Sequence, residues 1–78
     1  MANRKVRHVR FYQAVQIGGS VFTGLDSEKH KLSMAKPMEV VPPGAVHFIY
    51  KDTHGAEYEK LIPFSNIHDL TLVPELVK

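Results

Sequence analysis

Five histidines, His8, His30, His47, His54 and His68, are the first residues in this 78-residue chain with the chemistry to hold a metal or carry a proton. A metal site needs ligands at set spacings, most often His-x-x-x-His or His-Glu-x-x-His, or cysteines beside the histidines. Neither histidine spacing occurs and there is no cysteine. The histidines therefore read as satisfied or exposed, and no metal or other cofactor is expected. Asp52 and His54 flank one turn and suggest an acid–base pair; Ser65 and His68 stand three residues apart. Nucleophilic catalysis needs a hydroxyl or thiol, a base in hydrogen-bond reach and an oxyanion donor, and Ser65-Asn66 is better explained as turn chemistry. Gly18-Gly19-Ser20 leads into a strand pattern, whereas phosphate-cradling glycine loops open a helix. The sequence predicts a binding protein and not an enzyme.

Binding chemistry is better represented. Arg4, Lys5, Arg7 and Arg10 place four cations in the first ten residues with no acid among them. From Phe11 onward six lysines face eight acids, so the net charge of +2 belongs to the leading segment, residues 1–10. A basic arm of this kind suits a phosphate backbone, and equally a solvated, solubilising end. On the first strand pattern His8, Arg10 and Tyr12 fall on one face, with Arg4 behind them. Small β-barrels bind single strands by stacking bases on exposed aromatics while cations follow the phosphates. Arg4, Lys5, Arg7, His8, Arg10 and Tyr12 are thus the candidate nucleic-acid-binding residues. The competing reading is a protein-binding adaptor or inhibitor, or a homo-oligomeric structural module. Ile49, Leu61 and Met38 oppose the faces assigned to the core, and together they would form an apolar patch.

The elements that must position these residues are short. Composition is ordinary for a globular chain, with 44% apolar and 23% charged residues, and 78 residues read as one small domain. A chain of this size buries only about 60–65% of its unfolded surface. Lack of cysteine suits a reducing compartment. The basic start has no apolar stretch after it, so no secretory signal is read, and no apolar run reaches the ~18 residues of a membrane helix. A cytoplasmic protein is expected.

"VRHVRFYQAVQI", Val6 to Ile17, reads as a strand rich in β-branched and aromatic residues. Val9, Phe11, Val15 and Ile17 share the core face, interrupted by Arg7 and Gln13. Gly18-Gly19 supplies the positive φ of a two-residue hairpin turn, and "SVFTGL" returns as the second strand. "DSEKHKLSMAK" reads as a polar loop followed by a short strand, with Asp26 or Ser27 able to cap a single helical turn. Pro42-Pro43-Gly44 forbids continuous pairing across it. Val46, Phe48 and Tyr50 then share a face, "DTHG" turns the chain, and Tyr58, Ile62 and Phe64 answer from the next arm. Pro63 fits a strand end, Ser65-Asn66 a tight turn bonded to the local backbone, and Ile67 to Val73 alternates as a last strand. The expected fold is all-β, about five short antiparallel strands in a partly closed barrel or small sandwich.

"LIPFSNIHDLTLV" resembles the strand–turn–strand ending of Src-homology-3-like, Sm-like and PRC-type small barrels. "VRFYQAV" together with "LIPFSNI" resembles small accessory proteins encoded by bacteriophages. That second likeness implies a host-cytoplasmic protein that binds nucleic acid or a host enzyme. It transfers no functional residue, and residues 26–45 take no part in it.

Overall fold

The computed structural model describes residues 3–74. Six antiparallel strands run β1 (Val6–Ile17), β2 (Ser20–Asp26), β3 (Met34–Val41), β4 (Ala45–Lys51), β5 (Glu57–Pro63) and β6 (Ile67–Leu72). They form two three-stranded sheets, ordered β2-β1-β6 and β3-β4-β5. The only helical elements among the described residues are single 3₁₀ turns, Lys31–Ser33 before β3 and Phe64–Asn66 between β5 and β6. The all-β expectation holds, with six strands in place of about five; the two three-stranded sheets do not close into a barrel and are roughly consistent with the partly closed barrel or small sandwich expected.

One core lies between the sheets, built of Val6, Val9, Phe11, Val15, Ile17 and Leu25 from one and Met38, Val46, Phe48 and Ile62 from the other. The sheets also meet at the start of the chain. The Arg4 carbonyl accepts from the Val40 N–H at 2.9 Å and the Lys5 carbonyl from the Val73 N–H at 2.9 Å. Lys5 makes a β-bridge to Glu39, so Arg4 and Lys5 stitch β3 to the end of β6.

The first hairpin pairs Ile17 with Ser20 around Gly18-Gly19. Only Gly18 has a positive φ, 60°, as the first turn position of a type II′ hairpin requires. The ring of Tyr58 lies 3.1 Å from where a Cβ on Gly18 would stand, so the tip of this hairpin rests against β5. In the second hairpin Lys51 pairs with Glu57 and Gly55 has φ 85°. The Asp52 carboxylate gathers this turn, accepting from the His54 and Ala56 N–H groups at 2.9 Å each and from the Tyr58 hydroxyl at 3.2 Å.

Three departures from simple alternation explain where the sequence pattern misleads. Val6 pairs with Leu72 but His8 with Thr71, so Arg7 is an extra residue on β1. That bulge turns Arg7 outward and lets both Val6 and Val9 face the core. Further along, Arg10 pairs with Gly24 and Val15 with Phe22, which leaves β1 three residues longer than β2 in that interval. Gln13 sits there, exposed. On β3, Lys36 pairs with Ile49 and Glu39 with His47, an extra residue beside Pro37. A second extra residue between Met34 and Lys36 offsets it, so Met34, Met38 and Val40 all turn to the core, and Met38, expected on the outer face, is 0% exposed. Phe64, expected inward, belongs to the 3₁₀ turn and is 43% exposed. Pro63 ends β5, an edge strand, as its missing N–H requires.

Candidate nucleic-acid interface

The six candidate residues divide into two groups. Arg4, Lys5 and Arg7 are engaged in contacts of the fold. An Arg4 guanidinium N–H donates to the Val73 carbonyl at 3.2 Å. Lys5 Nζ lies 3.2 Å from Glu39 Oε2, and Lys36 Nζ lies 3.5 Å from the other carboxylate oxygen, Oε1. Hydrogen bonds from Asn3 and Lys5 hold the Glu39 carboxyl below its ordinary pKa. Arg7 Nε stands 3.7 Å from Asp26. The leading cations therefore do not form one row along the surface.

His8, Arg10 and Tyr12 do share the outer face of β1. The small side of Gly24 decides how they sit. A Cβ on Gly24 would come within 2.6 Å of the Val9 carbonyl oxygen and 3.6 Å of Arg10 Cγ. Glycine alone lets β2 approach β1 this closely and leaves the Arg10 side chain room over it. The result is a surface hollow of about 300 Å³ lined by His8, Arg10, Thr23, Asp26, Lys29 and His30, with Phe11, Gly24 and Leu25 completing its wall.

The turn after β2 supplies the far wall of this hollow. Asp26 Oδ1 accepts from the Glu28 N–H at 2.8 Å and the Lys29 N–H at 3.2 Å, which winds residues 27–30 back over β2. Those two bonds, with Arg7 and His8 nearby, keep the Asp26 carboxyl below its ordinary pKa. His30 is seated by the same turn: its Nδ1 lies 3.2 Å from the Asp26 amide nitrogen and 3.3 Å from the Asp26 carbonyl oxygen. Its ring meets Phe22 edge-on, with centroids 5.6 Å apart. The one acid of the hollow is thus occupied by backbone donors and Arg7, while Arg10 forms no ion pair among the described residues.

Tyr12, two residues along the same face, is 65% exposed. It meets the His68 ring edge-on at 5.0 Å between centroids, so an aromatic pair continues the basic face toward β6. Beyond it Asn66 does something the turn chemistry did not suggest. Its side-chain oxygen accepts from the Gln13 N–H at 2.8 Å and its amide donates to the Gln13 carbonyl at 3.1 Å. The Asn66 amide acts as a strand partner where β1 leaves both ladders, rather than bonding its local backbone.

Lys29 and His30 are the residues that sequence reasoning missed. They sit in the polar loop 26–33, and only the Asp26 turn brings them to Arg10. The other chemistry-bearing residues are not gathered. His47 pairs with Glu59 at 2.7 Å on the outer face of the second sheet, and Asp52 bonds the backbone of His54. No group of three or more potential metal ligands occurs among the described residues. The expected apolar patch is incomplete: Leu61 is 61% exposed, Ile49 is half-buried, and Met38 is in the core. No helix among the described residues is long and apolar enough to cross a membrane.

No protein-family model, curated protein or solved structure matches the chain.

Proposed function

We propose that this chain is a small non-enzymatic module that binds single-stranded nucleic acid on the outer face of β1. What carries the reading is the convergence of His8, Arg10, Lys29 and His30 on one hollow, with the Tyr12–His68 pair beside it. Cations take the phosphates and the exposed tyrosine takes a base, the division of labour by which small β domains hold unpaired strands. Arg4, Lys5 and Arg7, committed to the joint between the sheets and to Asp26, contribute long-range attraction more than direct contact. The likeness to Src-homology-3-like and Sm-like barrels is part of this reading and rests on "LIPFSNIHDLTLV" alone. The bacteriophage likeness, with a host-cytoplasmic location, rests on "VRFYQAV" and "LIPFSNI" alone.

Fluorescence anisotropy of labelled single-stranded DNA and RNA at two salt concentrations tests the reading. For single strands log K falls with log salt by about 0.7 per phosphate neutralised. A slope corresponding to two or three phosphates, and a loss of binding in Arg10→Gln/Lys29→Gln, are expected. Absence of binding at low salt contradicts it.

A second reading, a protein partner, is favoured by one feature. Phe64, Ile67, His68 and Leu70 line a shallow hollow of about 210 Å³ on β6, an edge strand. An extended peptide adding to that edge would bind with little salt dependence and lose affinity in Phe64→Ala.

A further inference from the structure

The basic groups on this face are not strung along the strand, as tracking of a phosphodiester backbone requires. They converge. Arg10 comes from β1 and Lys29 from the turn after β2, and His8 and His30 close the same volume of about 300 Å³ from those two elements. Thr23 adds a hydroxyl donor. The acids nearby are Asp26, whose carboxylate is turned to the Glu28 and Lys29 N–H groups and to Arg7, Asp69, which pairs with Arg10 across the β6 ladder, and the exposed Glu28. An internal phosphodiester carries one negative charge. A phosphomonoester carries about 1.5 to 2 at neutral pH and offers three strong acceptor oxygens. Four basic side chains around one small concavity match the second more closely than the first.

We propose that the hollow receives a terminal phosphate, so that the protein recognises the phosphorylated end of a nucleic-acid strand. Arg10 and Lys29 bind the phosphate oxygens, His8 and His30 donate from the flanks, and Thr23 completes the cradle. Tyr12 lies two residues along β1, about 7 Å away by strand rise. That is where the terminal base stacks, against the ring face left open by His68. The proposal rests on the nucleic-acid reading above and deepens it from a strand to its end.

The experiment compares one short oligonucleotide in three forms, 5′-phosphorylated, 3′-phosphorylated and hydroxyl at both ends, by anisotropy against the full chain. Inorganic phosphate alone is titrated in parallel, followed by amide and imidazole NMR shifts. One phosphorylated form should bind about tenfold or more tighter than the hydroxyl form, the equivalent of one charge-assisted contact set. Arg10→Gln/Lys29→Gln should abolish that difference while keeping the wild-type circular dichroism, since both side chains are exposed. Tyr12→Ala should weaken all three forms and keep their ratio. Inorganic phosphate should shift His8, His30 and the Gly24 amide. Equal affinity for the three forms overturns the proposal and leaves general single-strand binding standing. Phosphate shifts without binding of any oligonucleotide overturn it too, and with it the nucleic-acid reading.

Discussion

Asn66 stands where a strand partner is missing, and its consequences are measurable. Its amide makes two hydrogen bonds to the backbone of Gln13 across 53 residues of sequence. Removing the side chain hands the exposed Gln13 N–H and carbonyl to water at a place where β1 pairs with neither neighbour, a loss of about 0.5–1.5 kcal/mol. Asn66→Ala should therefore lower the urea midpoint by that amount, whereas Ser65→Ala, at an exposed neighbour, should leave it nearly unchanged. Equal midpoints for the two variants would remove Asn66 from this role. Type and position of this residue were legible as turn chemistry, but its partner was not. An asparagine's sequence neighbours say which turn it favours and nothing about the distant strand that its amide reaches.

Hairpins carry most of what was legible. Gly18-Gly19 and "DTHG" are local signals, and each marks a chain reversal at the expected residues; Pro42-Pro43-Gly44, read only as a break in pairing, is the turn about which β3 and β4 pair, Val41 opposite Ala45. Pairing register is a non-local property, so the bulges at Arg7 and beside Pro37 left no local trace beyond an awkward residue in an otherwise regular pattern. The second hairpin also predicts a pH response. Partial burial pushes the Asp52 carboxyl up, but the Ala56 and His54 N–H groups and the Tyr58 hydroxyl outweigh it, and its pKa lies below 3.8. Asp26 and Glu39 are lowered as well, by the Glu28 and Lys29 N–H groups and by Asn3 and Lys5 respectively. A carboxyl whose pKa is lower folded than unfolded adds stability that is complete above the unfolded value and lost as pH falls through the folded one. Urea midpoints should hold from neutral pH to about 5 and then decline toward about pH 2. Tyr58 has the opposite sign. Its hydrogen bond to Asp52 raises its pKa above 10.0, so that contribution is present below 10 and fades as pH rises through the folded value. Asp52→Asn should flatten the acid decline and bring the phenolate titration of Tyr58 back toward its ordinary range. An acid decline as steep as that of the wild type would contradict the assignment.

At the scale of the molecule, two facing sheets leave two outer faces with different characters. The second sheet carries the Lys36–Glu39 and His47–Glu59 pairs, with Leu61 exposed and Ile49 half-covered; the first carries the basic hollow and the Tyr12–His68 pair. Burial separates the residues once grouped as an apolar patch. Met38→Ala should cost about 2–5 kcal/mol, as for other buried methionines, while Leu61→Ala should change stability by less than about 0.5 kcal/mol. Similar losses for both, in thermal or urea unfolding, would mean that Met38 does not face the core. The charge excess of the leading segment was plain from the sequence; its partition was not. Acids from β3 and β2, far along the chain, engage Lys5 and Arg7, while a loop after β2 brings Lys29 and His30 to Arg10.

The most direct test of the account is a chemical-shift titration of the full chain with a short single-stranded oligonucleotide. Amide shifts confined to His8, Arg10, Tyr12, Gly24, Lys29 and His30, with the faces of β4 and β5 silent, are the predicted result. Shifts centred on Leu61, Ile49 or Phe64, or no shifts at low salt, would contradict it.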